Sequence, residues 1–62
     1  MILDNISKIA TEKKIPISKI ERDCGISNGT IRKWNDVEPS AVKLKKVADY
    51  LKVKVDKLLR DE

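Results

Sequence analysis

Asn28, Arg32 and Lys33 are the side chains whose types and spacing best suit a specific chemistry, the hydrogen-bonded reading of base edges. An asparagine amide can pair in bidentate fashion with the N6/N7 edge of adenine, and an arginine or lysine can address guanine O6 and N7. Each good bidentate pair gives roughly 1–3 kcal/mol of discrimination. A helix through this segment would set them, with Gly29 and Asp36, on the face opposite Ile31 and Trp34. Ser27 and Asn28 would stand at its start, where backbone N–H groups and the helix dipole favour a phosphate or a base edge. Gly29 has no side chain and would let the backbone approach closely or leave a base unread, and Thr30 is placed to reach a sugar-phosphate backbone. Taken singly, each of these residues has a plainer role as solvated surface; the grouping carries the reading.

Residues 16–35, PISKIERDCGISNGTIRKWN, contain the elements that would position that helix. Ile17, Ile20 and Cys24 recur at i, i+3 and i+7, which predicts an amphipathic helix over roughly Ile17 to Cys24. Gly25 follows where a left-handed C-terminal cap is wanted, a conformation glycine adopts without steric cost. Ile26 would anchor the turn. Ser27 would cap the next helix, its hydroxyl accepting from the N–H of Gly29 or Thr30. That third helix would bury Ile31 and Trp34 and end near Asn35–Asp36. Two short helices held at a steep angle by such a turn form a helix-turn-helix, the geometry that places one helix in the major groove.

The rest of the chain supplies the support. Ile2, Ile6, Ile9 and Ala10 predict a first helix with one buried stripe, with Lys13 and Lys14 in its last turn and Pro16 barring its continuation. After NDVEP, Ser40 can cap a helix whose Leu44, Val47, Ala48 and Leu51 face inward. Val53 and Val55 lead to a short last helix in which Leu58 and Leu59 pack back on the core. The expectation is an all-α domain of five short helices spanning residues 1–62, with the helix-turn-helix at about 17–35. Cys24, on an apolar stripe, reads as a small buried filler and not as a reactive thiol. Lys14, Lys19, Lys45 and Lys46 read as solvated charge.

Composition bounds the possibilities. Sixty-two residues make one domain at most, and a chain this small buries only roughly 60% of its unfolded surface, so the core is thin. One cysteine excludes an internal disulfide, and the lack of histidine nearly excludes a zinc staple. No metal or other cofactor is expected. Lys+Arg number 14 against 10 Asp+Glu, a formal net charge of +4, which suits nucleic acid but is weak support alone. No apolar run approaches the roughly 20 residues that cross a bilayer, and the amphipathic start is not signal-like. A free thiol without an export signal fits the cytoplasm. With no histidine as general base, no glycine-rich phosphate loop and no nucleophile with a visible partner, neither enzyme activity nor a small-molecule substrate is expected.

From Ile6 to Leu59 the chain resembles the phage repressor and Cro group of regulators, often called Xre-type. Ile20, Gly25, Ile26, Ser27, Ile31 and Trp34 fall where that family places apolar, turn and cap residues, and PSAVKLKKVADYLKVKVDKLL is similar to its fourth and fifth helices. The resemblance implies a lambda-repressor-like DNA-binding fold and a double-stranded DNA operator as partner. It also implies a phosphate contact at Lys43, and such contacts set register without reading sequence. The chain departs from the pattern at Pro16, Ile17 and Lys54, and at Glu21, where the family usually has alanine. A carboxylate there is expected to tilt to solvent or pair with Arg32 or Lys33, because burial without a partner is costly. The function so implied is a sequence-specific transcriptional regulator of the phage or mobile-element type, acting as a repressor. One recognition helix reads few base pairs, so a homodimer on DNA is expected, joined near Val53 to Leu59. The alternative is a helix-turn-helix used as a protein-interaction module that antagonises a regulator, or as an antitoxin; Glu21 and the modest charge motivate it.

Overall fold

Apolar residues at three- and four-residue steps close round one core in the computed structural model, which describes residues 1–60. Four α-helices form: α1 (Ile2–Lys13), α2 (Ile17–Cys24), α3 (Ala41–Leu51) and α4 (Val55–Leu59). A single 3-10 turn, Ile31–Lys33, lies between α2 and α3. Helix α1 packs on α4 and on the 3-10 turn, α2 packs on α3, and α3 packs on α4. The core is Ile6, Ile9 and Ala10 of α1, Ile20 of α2, Leu44, Val47, Ala48 and Leu51 of α3, and Leu58 of α4, closed by Ile26, Ile31 and Trp34. Ile17 and Cys24 line its edge, half-buried. Burial pushes the Cys24 thiol pKa up, the opposite of the shift that activates a cysteine.

The helices stop where local chemistry stops them. Gly25 takes the left-handed conformation at φ 71°, ending α2. Lys14 and Lys52 do the same at φ 58° and 60°, each returning its N–H to the preceding turn. Ser40 caps α3, its Oγ accepting from the Lys43 N–H at 3.2 Å. Two further caps come from distant parts of the chain. Asn35 Oδ1 accepts from the Leu3 N–H (3.0 Å) and its Nδ2 donates to Asp4 Oδ1 (3.1 Å), closing the start of α1. Asn5 Nδ2 donates to the Leu58 and Arg60 carbonyls at 2.8 and 2.6 Å, closing the end of α4.

Two sequence expectations need correction. The expected third helix from Ser27 to Asn35–Asp36 is only a 3-10 turn, so among the described residues four α-helices stand where five were expected. Leu59 is 51% exposed and does not pack on the core. Helix α4 has five residues, so at 100° per residue it offers the core one narrow stripe, held by Leu58 with half-buried Val55 three residues before it.

Helix α2 is tied to α3 by a side-chain bridge, beside a weaker contact from the Cys24 thiol to the Lys46 carbonyl at 3.8 Å. The Tyr50 hydroxyl donates to Asp23 Oδ2 at 2.6 Å, and Lys19 Nζ donates to the same oxygen at 3.1 Å. The Tyr50 bond, then Lys19, holds the Asp23 carboxyl below its ordinary value of 3.8. The same bond raises the Tyr50 phenol above 10.0.

Ile31→Ala should destabilise the domain by about 2–5 kcal/mol through the cavity it leaves. Total stability at this length is only about 3–9 kcal/mol, at ~0.05–0.15 per residue, so much of the variant should be unfolded; a thermal melt that scarcely moves would contradict the burial of Ile31. For the Tyr50–Asp23 bridge the sign follows from linkage. Its carboxylate part is complete above pH 3.8 and is lost as pH falls through the lower folded value, and its phenol part is lost as pH rises through the raised one. The melting-temperature gap between wild type and Tyr50→Phe should therefore be widest at neutral pH and close towards both ends; a gap that ignores pH would refute the bridge.

Candidate nucleic-acid interface

The segment from Gly25 to Val37 is shaped by two glycines and one carboxylate. Gly29 has φ 88°, a value no helical residue adopts, so right-handed helix can start only at Thr30. From Thr30 to Val37 the bonds run mostly across three residues, with one across four from the Val37 N–H to Lys33 O at 2.7 Å. Lys33 N–H donates to Thr30 O (3.1 Å), Trp34 N–H to Ile31 O (3.0 Å) and Asp36 N–H to Lys33 O (2.9 Å). A 3-10 turn has three residues per turn, so Ile31 and Trp34 point the same way, into the core. The inward face read from the sequence is therefore kept although the helix type is not.

Ser27 does not cap this turn with its hydroxyl. Its backbone carbonyl accepts from Thr30 N–H at 3.1 Å, while the side-chain cap comes from Glu21. Oε1 of Glu21 accepts from the Gly29 N–H at 3.1 Å and Oε2 from the Ile31 N–H at 2.9 Å. The main-chain carbonyl of Glu21 accepts from Ile26 N–H at 2.8 Å. With 2% exposure, the residue neither tilts to solvent nor pairs with Arg32 or Lys33, as the sequence had suggested. Backbone amides held in fixed geometry supply what a cation would have supplied. A second revision follows: the N–H groups of Gly29 and Ile31 point inward to Glu21, so they are not available to a phosphate at the start of the turn.

What the segment presents outward is side chains. Ser27, Asn28, Arg32 and Lys33 are exposed, and Gly29 and Thr30 are half-buried. All six lie on the one short stretch anchored below by Ile26, Ile31 and Trp34. Lys43 stands on another element, exposed in the first turn of α3. The cations differ in their partners. Lys19, Lys45 and Arg60 each hold an aspartate at 3.1, 2.8 and 2.8 Å. Among the described residues no carboxylate pairs with Arg32, Lys33 or Lys43. These three can meet an anionic partner without first giving up an ion pair.

Two residues that shape this surface escape a reading of the sequence, Glu21 and Asn35. Each caps a turn distant in the chain, so the local signature of an N-cap, a short polar residue just ahead of the helix, is missing. The available signal for Glu21 was a carboxylate near the inward stripe of α2 followed by an Asn-Gly pair with an amide to satisfy.

Comparison with known families agrees with this geometry. The family described as the Cro/C1-type HTH DNA-binding domain matches residues 5–62. Neither a search of curated proteins nor one of solved structures gives a match. No helix among the described residues is long and apolar enough to cross a membrane.

Proposed function

Because the chain belongs to the Cro/C1-type helix-turn-helix DNA-binding family, we propose that it is a sequence-specific transcriptional repressor that sets the 27–33 segment against the major groove of an operator. The observation that carries this reading is the segment itself: exposed Asn28, Arg32 and Lys33 on a backbone fixed from beneath by Glu21, Ile31 and Trp34. In this reading Asn28 addresses an adenine edge, Arg32 or Lys33 a guanine edge, and Ser27 and Thr30 contact the sugar-phosphate backbone. Gly29 leaves room for close approach, since a Cβ built on it meets nothing within 4 Å. Lys43 binds a phosphate and sets register.

So short a reading element covers few base pairs, and two copies on half-sites roughly 34 Å apart supply the remaining affinity. Val37 and Leu59 remain exposed and apolar beside a shallow groove that Trp34 lines, and this surface supports a homodimer at that end of the domain. The rival reading as a protein-interaction module was motivated by Glu21 and by the modest net charge; the buried position of Glu21 weakens the first motive and leaves the second as it was.

Binding should weaken with added salt, with a log–log slope near −0.9 for each phosphate contact. Asn28→Ala should relax preference at one base position, and Lys43→Ala should weaken all sequences alike and flatten the salt slope by about one contact. A salt-independent response, or equal losses for both variants on operator and random duplex, would refute this division of labour.

A further inference from the structure

Three backbone amides of the turn, those of Ile26, Gly29 and Ile31, converge on a single residue of the preceding helix. Two of them meet separate oxygens of one carboxylate that is 2% exposed, and among the described residues no buried side-chain polar atom lacks a partner. A carboxylate is suited to this place because it is the side chain that accepts on both oxygens without presenting a donor. A glutamine would keep one acceptor and set an NH2 group against a backbone N–H, and an alanine would leave both amides unsatisfied beneath the surface. Gly29, at φ 88°, is the point where the chain bends to deliver its amide inward. Asn28, immediately before it, is exposed.

We propose that Glu21 is a positioning residue for base recognition: its carboxylate, gripping the amides of Gly29 and Ile31, fixes the backbone on which Asn28 and Arg32 present their hydrogen-bonding groups. Glu21 touches no DNA and acts through the turn alone. The inference rests on the DNA-reading function proposed above and adds a separable requirement. Attraction to the phosphate backbone needs only the exposed cations, whereas discrimination between sequences needs the clamp. Long cationic side chains tolerate a backbone that wanders, and a bidentate base contact does not.

The test compares wild type with Glu21→Gln on two probes, the duplex that wild type selects from a random pool and a scrambled duplex of equal length, below the melting temperature of both proteins. The variant should lose about tenfold or more of its preference for the selected duplex, the worth of one bidentate base contact, while its low-salt affinity for the scrambled duplex stays within about twofold. Partial unfolding would lower both affinities together. An unchanged preference, or a joint loss, overturns the proposal. Amide exchange on the wild-type protein, free and on the selected duplex, decides the matter even if the variant fails to fold. The Gly29 and Ile31 amides should exchange only through global unfolding in both states, and exchange at loop rates in either state overturns the clamp. A wild type that binds no duplex at all overturns the DNA-reading function itself, and is recognised before any variant is compared.

Discussion

One buried carboxylate decides the shape of the surface on which the rest depends. Burying a charge without compensation is expensive, and here the compensation comes wholly from backbone N–H groups, two on the carboxylate of Glu21. The arrangement works because the turn has amides to dispose of. A 3-10 turn, like any helix start, leaves its first N–H groups without internal partners, and the half-buried setting of Gly29 and the full burial of Ile31 limit the help water can give. Charge and amides each remove the other's penalty. Neither half is tolerable alone, so the turn and the side chain are specified together.

The same economy governs the other ends in this small domain. Asn35, just past the turn, closes the start of α1, and Asn5 on α1 closes the end of α4. Ile31 and Trp34 pack from the turn into a core to which all four helices contribute. The turn that carries the candidate recognition residues is consequently a structural member and not a loop laid on a finished scaffold. Its backbone is held by Glu21 from one side, by Asn35 through α1 from another, and by two buried side chains from below. A thin core has few such tethers, so the placement of this turn and the stability of the domain draw on the same contacts.

This explains which features were legible in the sequence. The bounds of α2, the glycine cap at Gly25, the Ser40 cap of α3 and the inward face of Leu44, Val47, Ala48 and Leu51 all follow from residues within one or two turns of each other. The spacing of Trp34 from Ile31 places it in the core, and that spacing survives the change from α to 3-10 because residues three apart share a face in both. Ser27 misled because its side chain matches the local rule for a cap, while the acceptor that arrives is eight residues behind Gly29. The length of the third helix is not legible because Gly29 passes as an ordinary turn-tolerant residue, whereas its φ is 88°. Leu59 misleads because a five-residue helix turns only a narrow stripe inward, and Leu58 with Val55 already fills it. The outward residues of the turn were legible as a group; the means of holding them was not, since it lies in tertiary hydrogen bonds.

Net charge is a poor guide to how such a surface would meet DNA. A formal +4 spreads over cations in different situations. Lys45 and Arg60 pair with aspartates four residues away on exposed helix faces, and pairs of that kind contribute only about 0.3–0.5 kcal/mol, so a phosphate could recruit either lysine or arginine at little cost. Pairing alone therefore does not separate a reader from a bystander. Location does. Arg32 is exposed on the short 27–33 segment beside Asn28, whereas Lys45 is exposed on α3, outside that segment, and paired with its own Asp49. Long-range attraction sums over all the cations and is blind to this difference. Base recognition, which depends on angles and on tenths of an ångström, is not, and this is why the negatively charged Glu21 serves a basic domain best from beneath the surface that would face the phosphates.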